Sequence, residues 1–168
     1  SGEYFNNWMN EKESELMPYS SLKILFSLFG ACVDGKSHYT FSHSVGVASL
    51  SRKIAELNGI SGKVLDELEL AGLVHDIGKL KVPDKILEKE EKLEPNERCI
   101  IQIHSKDTYK ILSQVKELEH IAKWASQHHE KLDGSGYPNS ESSKNLSIEA
   151  RIIAIADIFQ ALAQSRPY

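Results

Sequence analysis

A buried helix that ends in charged side chains is the feature that most constrains this chain. Apolar residues at positions 65, 68, 70 and 73 have helical spacing and lead into the segment LVHDIGK, residues 73–79. This places His75 and Asp76 near the end of a buried helix, with Gly78 letting the chain turn out. Because charged groups are seldom buried without a partner or a metal, the segment predicts either a dipole-compensating helix end or a metal site.

The residue types of this segment favour chemistry on an anion. An adjacent imidazole and carboxylate can both reach one ion, and the two oxygens of Asp76 can bridge two ions. Lys79 can then meet an anionic group that those ions hold.

Helical periodicity extends along most of the 168 residues, and no segment shows the alternation of a strand. The predicted helices begin at Ser20 or Ser21, span 40–57, run from Ser61 to Asp76, span 95–112 and 117–129, and begin again at Ser147. Loops are expected at Gly35 and across the Gly, Ser, Asn and Pro-rich residues 133–144. The fold class is therefore predicted to be an all-α helical bundle in one domain.

Composition excludes several classes of protein. The 20 Lys and Arg against 24 Asp and Glu give a net charge of −4, which argues against binding a nucleic acid polymer. No stretch resembles a signal peptide or an apolar span of about 20 residues, so no membrane segment and a cytoplasmic location are expected. Cys32 and Cys99 are far apart, which fits a reducing compartment and predicts two small core residues.

Several histidines and carboxylates occupy positions that indicate metal binding. Asp157 lies among isoleucines, where an unpaired charge is costly and a cation would offset the cost. The candidate metal ligands are His43, His75, Asp76, His104, His128, His129 and Asp157. The alternative is that each is satisfied by ordinary hydrogen bonds, which we assume for the remaining histidines, His38 and His120. As a set, they are too many for one tetrahedral site, and they fit two ions that share a bridging carboxylate.

Four motifs resemble one family. HDIGK at 75–79, HHEKLDGSGYP at 128–138, RIIAIADIFQALAQSRPY at 151–168 and YTFSHS at 39–44 resemble the HD-GYP subgroup of the HD-domain metal-dependent phosphohydrolases. The resemblance covers about residues 35–168 and implies an HD-domain helical bundle with a buried metal site. Residues 1–34 are then N-terminal helices or a connector, and the domain is expected to be truncated at its C-terminus.

The resemblance implies an enzyme that hydrolyses cyclic di-GMP to pGpG, GMP or both. One metal would be held by His43, His75, Asp76 and Asp157, and Asp76 would bridge to a second held by His104, His128 and His129. A bridging hydroxide would attack phosphorus. Some members carry a third metal through a Glu where this chain has Tyr39, so two divalent ions are expected. Iron or manganese is the first expectation, with zinc, nickel and magnesium left open.

Substrate-binding residues also follow from the resemblance. They are Lys79, which would neutralise phosphate oxygens, and Gly134, Gly136, Tyr137, Pro138 and Arg166. The alternative for residues 134–138 is a turn that needs its Gly and Pro only for backbone geometry. Glu130 would orient a ligand histidine as a hydrogen-bond acceptor, or lie in solvent.

Departures from the family pattern leave other functions open. Gly46 stands where the family has Arg, Gln160 where it has Asp, and Glu90 and Glu91 add acid to a segment that is usually KPGKL. One alternative is a catalytically weak or inactive module that binds nucleotide or a signalling partner, such as a diguanylate-cyclase or receiver domain. Another is a phosphohydrolase of a different nucleotide such as cyclic GMP-AMP. A homodimer is also open.

Overall fold

The computed structural model describes residues 17–36 and 42–163, and these residues form a helical bundle. Its α-helices are α1 Tyr19–Lys36, α2 His43–Leu57, α3 Lys63–Val74, α4 Asp84–Leu87, α5 Pro95–Leu112, α6 Glu119–Ser126 and α7 Ile148–Ala163. Two short 3₁₀ helices cover Ile77–Lys81 and Lys116–Leu118. No strand occurs within the described residues, so the prediction of an all-α fold is confirmed.

Helix α3 lies at the centre of the bundle. All seven residues from Leu68 to Val74 are buried, and the helix packs against α1, α2, α6 and α7. A Cβ atom on Gly72 would lie 2.7 Å from the Cα atom of Ala48 in α2, and one on Gly30 in α1 would lie 2.7 Å from the carbonyl oxygen of Leu73. Glycine at both positions therefore lets α1 and α2 approach α3 closely. The C-terminus of α3, with His75 and Asp76, is consequently held in the interior.

The expected loop at Gly35 is wrong, because helix α1 continues through Lys36. Near its end, the buried carboxylate of Asp34 accepts hydrogen bonds from the backbone N–H (3.0 Å) and the hydroxyl (2.8 Å) of Ser44. This contact ties the end of α1 to the first turn of α2. The proposed domain boundary after residue 34 falls inside this helix, and the division into connector and domain stays a prediction.

Some apolar residues of the helices are exposed, and so are the two cysteines that were expected in the core. In α1, Phe26 is buried whereas Leu28 is 59% exposed. Cys32 and Cys99 are both exposed, because the buried faces of their helices carry other residues. The helix predicted over 117–129 was also too long, since α6 ends at Ser126 and residues 127–129 form a turn.

The sequence was expected to contain no membrane-spanning segment. Within residues 17–36 and 42–163, none of the helices has both the length and the apolar character needed to cross a membrane.

A buried carboxylate joins α1, α2 and α3 on one side of the bundle. Glu69 in α3 accepts a hydrogen bond from the Tyr19 hydroxyl (2.5 Å) and pairs with Lys23 (2.7 Å) and Arg52 (3.1 Å). Burial alone would raise the pKa of Glu69, but Lys23, Tyr19 and Arg52 outweigh it and hold that pKa below its ordinary value. The ionised form of Glu69 therefore stabilises the fold.

We expect Glu69→Gln to lower the free energy of unfolding at pH 7 by about 1–2 kcal/mol, because the charge-assisted hydrogen bonds of this carboxylate are lost. Because the pKa of Glu69 is lower in the folded protein than its ordinary value of 4.5, ionised Glu69 stabilises the fold when the pH is above 4.5. This stabilisation disappears as the pH falls through the folded-state pKa. The difference between the two proteins in urea unfolding should therefore shrink between pH 5 and pH 3.

Glu56→Gln is the matched control, because Glu56 pairs with the same Arg52 but its side chain is 40% exposed. It should change stability far less than Glu69→Gln. Equal effects of the two variants, or a difference from wild type that stays constant down to pH 3, would contradict the assignment.

Candidate metal centre

The structure brings all seven predicted metal ligands together at the C-terminal end of α3. They form two clusters, and within each cluster one ligand atom per residue lies within 4.8 Å of the others. Cluster A consists of His43, His75 and Asp157, and cluster B of Asp76, His104, His128 and His129. Distant segments contribute these side chains: the starts or ends of α2 and α3, the middle of α5 and α7, and the turn after α6.

Cluster A is arranged around the carboxylate of Asp157. Its Oδ1 atom lies 3.1 Å from His43 Nε2 and 3.8 Å from His75 Nε2. Because His43 begins α2 and Asp157 lies in α7, this cluster joins two helices that pack side by side.

Asp76 lies between the two clusters, and its two oxygens face different histidines. Its Oδ2 atom is 3.3 Å from His75 Nε2, while its Oδ1 atom is 3.3 Å from His104 Nε2 and 3.6 Å from His128 Nε2. The side chain is only 6% exposed. A carboxylate in this position can contact one ion in each cluster.

Backbone hydrogen bonds orient three of the imidazoles. In each, Nδ1 lies within hydrogen-bond distance of the carbonyl oxygen three residues earlier: Gly72 for His75 (2.8 Å), Ile101 for His104 (2.6 Å) and Ala125 for His128 (2.6 Å). A carbonyl can only accept, so Nδ1 carries a proton in each ring, and Nε2 is the nitrogen that faces the site and binds a metal once it is unprotonated. This is the tautomer that a metal-binding histidine requires.

Buried polar atoms without partners indicate that the site fits a cation. The buried polar atoms without a hydrogen bond among the described residues include two that face the clusters, His75 Nε2 and Asp76 Oδ1. A buried polar atom without a partner costs about 1–3 kcal/mol. Imidazole nitrogens and carboxylate oxygens are ligands for divalent iron, manganese and zinc, so the donor set suits such ions.

Burial and the neighbouring charges shift the pKa values in the site. Burial, with His128 nearby, lowers the pKa of His129 to about 2, so this ring is neutral and able to bind a metal. Burial opposes ionisation of Asp76, but Lys79 and His75 hold its pKa well below the usual range. For His75, burial lowers the pKa, yet the carboxylates of Asp76 and Asp157 outweigh this and raise it to about 9.

Lys79 and Gly78 have separate roles in the HDIGK segment. Lys79 lies in the 3₁₀ helix after Asp76, and its Nζ atom is 2.5 Å from Asp76 Oδ2. Gly78 was expected to let the chain turn out, but its φ is not positive. Instead, a Cβ atom there would lie 2.0 Å from the carbonyl oxygen of His104, so glycine permits α5 to approach.

The GYP loop, residues 134–138, borders cluster B. The ring centroid of Tyr137 lies 4.7 Å from that of His129 and 6.3 Å from that of His104. Gly134 has a φ of 79°, which favours glycine. The loop therefore has turn geometry and also contacts the candidate ligands. Arg166 and Tyr39 lie outside the described residues.

The two substitutions in the family pattern are in contact. A Cβ atom on Gly46 would lie 2.3 Å from Nε2 of Gln160, in the helix that carries Asp157. Gly46 lies one turn after His43, and Gln160 one turn after Asp157, so this contact sits next to the His43–Asp157 pair. The two departures from the pattern therefore lie against each other where α2 packs on α7. Glu90 and Glu91 are exposed on the segment between α4 and α5.

Sequence reasoning missed two residues that hold the site together. Thr108 in α5 accepts a hydrogen bond from the Gly78 N–H (3.0 Å) and donates one to the His75 carbonyl oxygen (3.1 Å). Asp34 holds the turn that begins with His43. The sequence held two signals for them: Thr108 lies one helical turn after His104, and Asp34 follows an apolar run. His120, which was assigned no site role, pairs with Glu67 at 2.9 Å and belongs to neither cluster.

Comparison with known proteins identifies similar sequences. The sequence model of the HD domain family matches residues 12–168. A 3'3'-cGAMP-specific phosphodiesterase 1 of Vibrio cholerae is 47% identical over 84% of this chain and 33% of its own length. A cyclic di-GMP phosphodiesterase of Thermotoga maritima is 40% identical over 77% of this chain and 36% of its own length. The chain therefore spans about a third of these curated relatives.

A solved structure shares the fold. An HDG"Y"P protein from Bdellovibrio bacteriovorus superposes with a TM-score of 0.66 and 19% sequence identity, over 88% of this chain and 54% of that one. At this identity the likeness shows the HD-domain fold, and it agrees with the resemblance drawn from the motifs.

The contact between Gly46 and Gln160 predicts that substitutions there are not additive. Gly46→Arg alone places a side chain against Gln160, whereas Gly46→Arg with Gln160→Asp lets an ion pair form in its place. We expect a coupling energy of about 1 kcal/mol between the two changes in urea unfolding.

The control is the combination of Gly46→Arg with Gln114→Asp, since Gln114 is exposed beyond the end of α5 and should be additive. Additivity of Gly46→Arg and Gln160→Asp within about 0.3 kcal/mol would show that the two positions are independent.

Proposed function

The chain belongs to the HD domain family, and from this membership we propose that it is a metal-dependent phosphodiesterase that hydrolyses cyclic di-GMP to pGpG, GMP or both. The observation that carries the proposal is the pair of His/Asp clusters that share Asp76. The curated relatives named above are phosphodiesterases of cyclic dinucleotides. An arrangement with all seven ligand side chains in place favours an enzyme over an inactive binding module.

We assign one divalent ion to each cluster. His43, His75 and Asp157 would hold the first ion, His104, His128 and His129 would hold the second, and Asp76 would serve as a ligand to both. Iron or manganese suits this mixture of nitrogen and oxygen donors, with zinc, nickel and magnesium as alternatives. When bound, such a pair of ions supplies an activated water and binds phosphate oxygens.

The remaining roles fall to side chains of this chain. The ammonium group of Lys79, now 2.5 Å from Asp76 Oδ2, is positioned to neutralise a phosphate oxygen brought to the same place. Its side chain is 24% exposed, so a ligand at the mouth of the site can reach it. The loop with Gly134, Gly136, Tyr137 and Pro138 forms the substrate-side edge next to cluster B, and we retain Arg166 as a further phosphate contact.

A second candidate substrate is 3'3'-cGAMP. Three phosphodiesterases of Vibrio cholerae that are 39–47% identical to this chain bear that specificity in their names. Cyclic di-GMP and 3'3'-cGAMP present the same pair of phosphodiesters and differ in one base. The metal centre therefore accommodates the phosphodiester of either, and the residues that contact the second base would select between them.

The direct test is hydrolysis by the protein reconstituted anaerobically with Fe(II) or Mn(II). Cyclic di-GMP and 3'3'-cGAMP are supplied separately, products are resolved by chromatography, and metal content is measured on the same sample. We expect a linear dinucleotide or a mononucleotide from cyclic di-GMP. A faster reaction with 3'3'-cGAMP would transfer the proposal to that substrate. Full metal loading without product from either would refute the enzymatic function.

Replacing the shared carboxylate should affect both clusters. We expect Asp76→Ala to lower the bound metal below that of wild type and to abolish hydrolysis, because each ion loses a ligand. Metal content by mass spectrometry and product formation are the measurements. An Asp76→Ala protein that retains two ions per chain would contradict the bridging role.

Replacing the lysine should separate metal binding from phosphate chemistry. We expect Lys79→Ala to keep its metal but to lower kcat about 100-fold, the usual effect of losing one group that stabilises developing charge. Lys81→Ala is the matched control, since Lys81 lies in the same 3₁₀ helix but pairs with Asp107 at 3.3 Å. Equal rates for wild type and Lys79→Ala would remove Lys79 from the mechanism.

A further inference from the structure

A buried carboxylate follows directly after two candidate ligands but belongs to neither cluster. Glu130 is 6% exposed and comes after His128 and His129. The sequence suggested that it would orient a histidine or lie in solvent. Instead, its Oε1 atom accepts a hydrogen bond from the Asn139 N–H (2.6 Å), and its Oε2 atom accepts one from the Glu141 N–H (2.9 Å). Both oxygens of Glu130 thus hold the backbone that leaves the GYP loop.

The beginning of the same loop is held by close backbone contact. The Tyr137 N–H donates a hydrogen bond to the His129 carbonyl oxygen at 3.2 Å. A Cβ atom on Gly136 would lie 2.5 Å from the Cα atom of Glu130 and 2.6 Å from that carbonyl oxygen, so only glycine fits there. The loop is therefore fastened to residues 129–130 on both sides of Pro138.

These contacts place the aromatic ring of Tyr137 next to cluster B. The Tyr137 ring is inclined 36° to that of His129, and it approaches His104 edge-on with an interplanar angle of 81°. Both histidines belong to cluster B. Tyr137 does not approach cluster A in any ring contact among the described residues.

We propose that Glu130 is a positioning residue, which holds residues 139–141 so that Tyr137 keeps His129 and His104 in place for the metal of cluster B. Its effect should therefore be confined to one of the two ions. The inference rests on the proposed metal-dependent function, because that function supplies the two ions. A charged acceptor suits the task, since bonds from N–H groups to a carboxylate are stronger than those to a neutral oxygen.

The test compares wild type with Glu130→Gln and Glu130→Ala. Gln keeps the shape and one acceptor oxygen but loses the charge and the second acceptor, so its effect should be intermediate. Asp133→Ala is the matched control, because exposed Asp133 accepts a hydrogen bond from the Ser135 N–H (2.9 Å) in the same segment without contacting the clusters.

Amide hydrogen exchange on the metal-free proteins is the first measurement. Exchange at Asn139, Glu141 and Tyr137 should become at least about tenfold faster in Glu130→Ala and less so in Glu130→Gln, with Asp133→Ala unchanged at Tyr137. Faster exchange at Asn139 and Glu141 with no change at Tyr137 would overturn the proposal, because Glu130 would then hold residues 139–141 without positioning Tyr137.

Chelator competition with Mn(II) is the second measurement. One equivalent of metal should bind about 10–100-fold more weakly in Glu130→Ala, as when other outer-sphere partners of metal sites are lost, while the other equivalent keeps its affinity. Equal weakening of both equivalents, or of neither, would overturn the proposal. If wild type binds no metal, the proposed function fails, but hydrogen exchange still tests whether Glu130 holds the loop. If Glu130→Ala does not fold, Glu130→Gln is used for both measurements.

Discussion

The rest of the structure depends on the burial of one carboxylate, that of Asp76, at the end of the most enclosed helix. Burial of a charge in a protein interior is unfavourable unless other charges or a metal offset it. Here Lys79 and His75 keep the carboxylate ionised, and its two oxygens face two clusters of imidazoles. The bundle encloses this carboxylate, because Gly30 and Gly72 let α1 and α2 pack closely against α3.

Backbone groups of the helices orient side chains of the site. Three histidines each use the carbonyl group three residues earlier in the chain to orient Nδ1, so their Nε2 atoms face the site. Gly78 and Thr108 then join α5 to the segment after α3, which sets the position of His104 relative to Asp76. The arrangement of ligands thus follows from local backbone geometry together with a few close helix contacts.

Much of the fold and the identity of the candidate ligands could be predicted from local sequence, because periodicity and the His-Asp pair are local signals. What could not be predicted depends on how helices pack. The contact between Gly46 and Gln160 joins positions more than a hundred residues apart, whereas the grouping of His43 with Asp157, equally distant in the chain, came from the family resemblance alone. Cys32 and Cys99 have core-like residue types, yet their helices turn them outward. Glu130 lies beside ligand residues, and only the folded loop shows that it binds backbone N–H groups instead.

The central claim is that two ions lie on either side of Asp76, and anomalous diffraction from crystals grown with Mn(II) tests it most directly. The account predicts two anomalous peaks roughly 3.5–4 Å apart, one against His43, His75 and Asp157 and the other against His104, His128 and His129. A single peak, or peaks that do not contact Asp76, would contradict it.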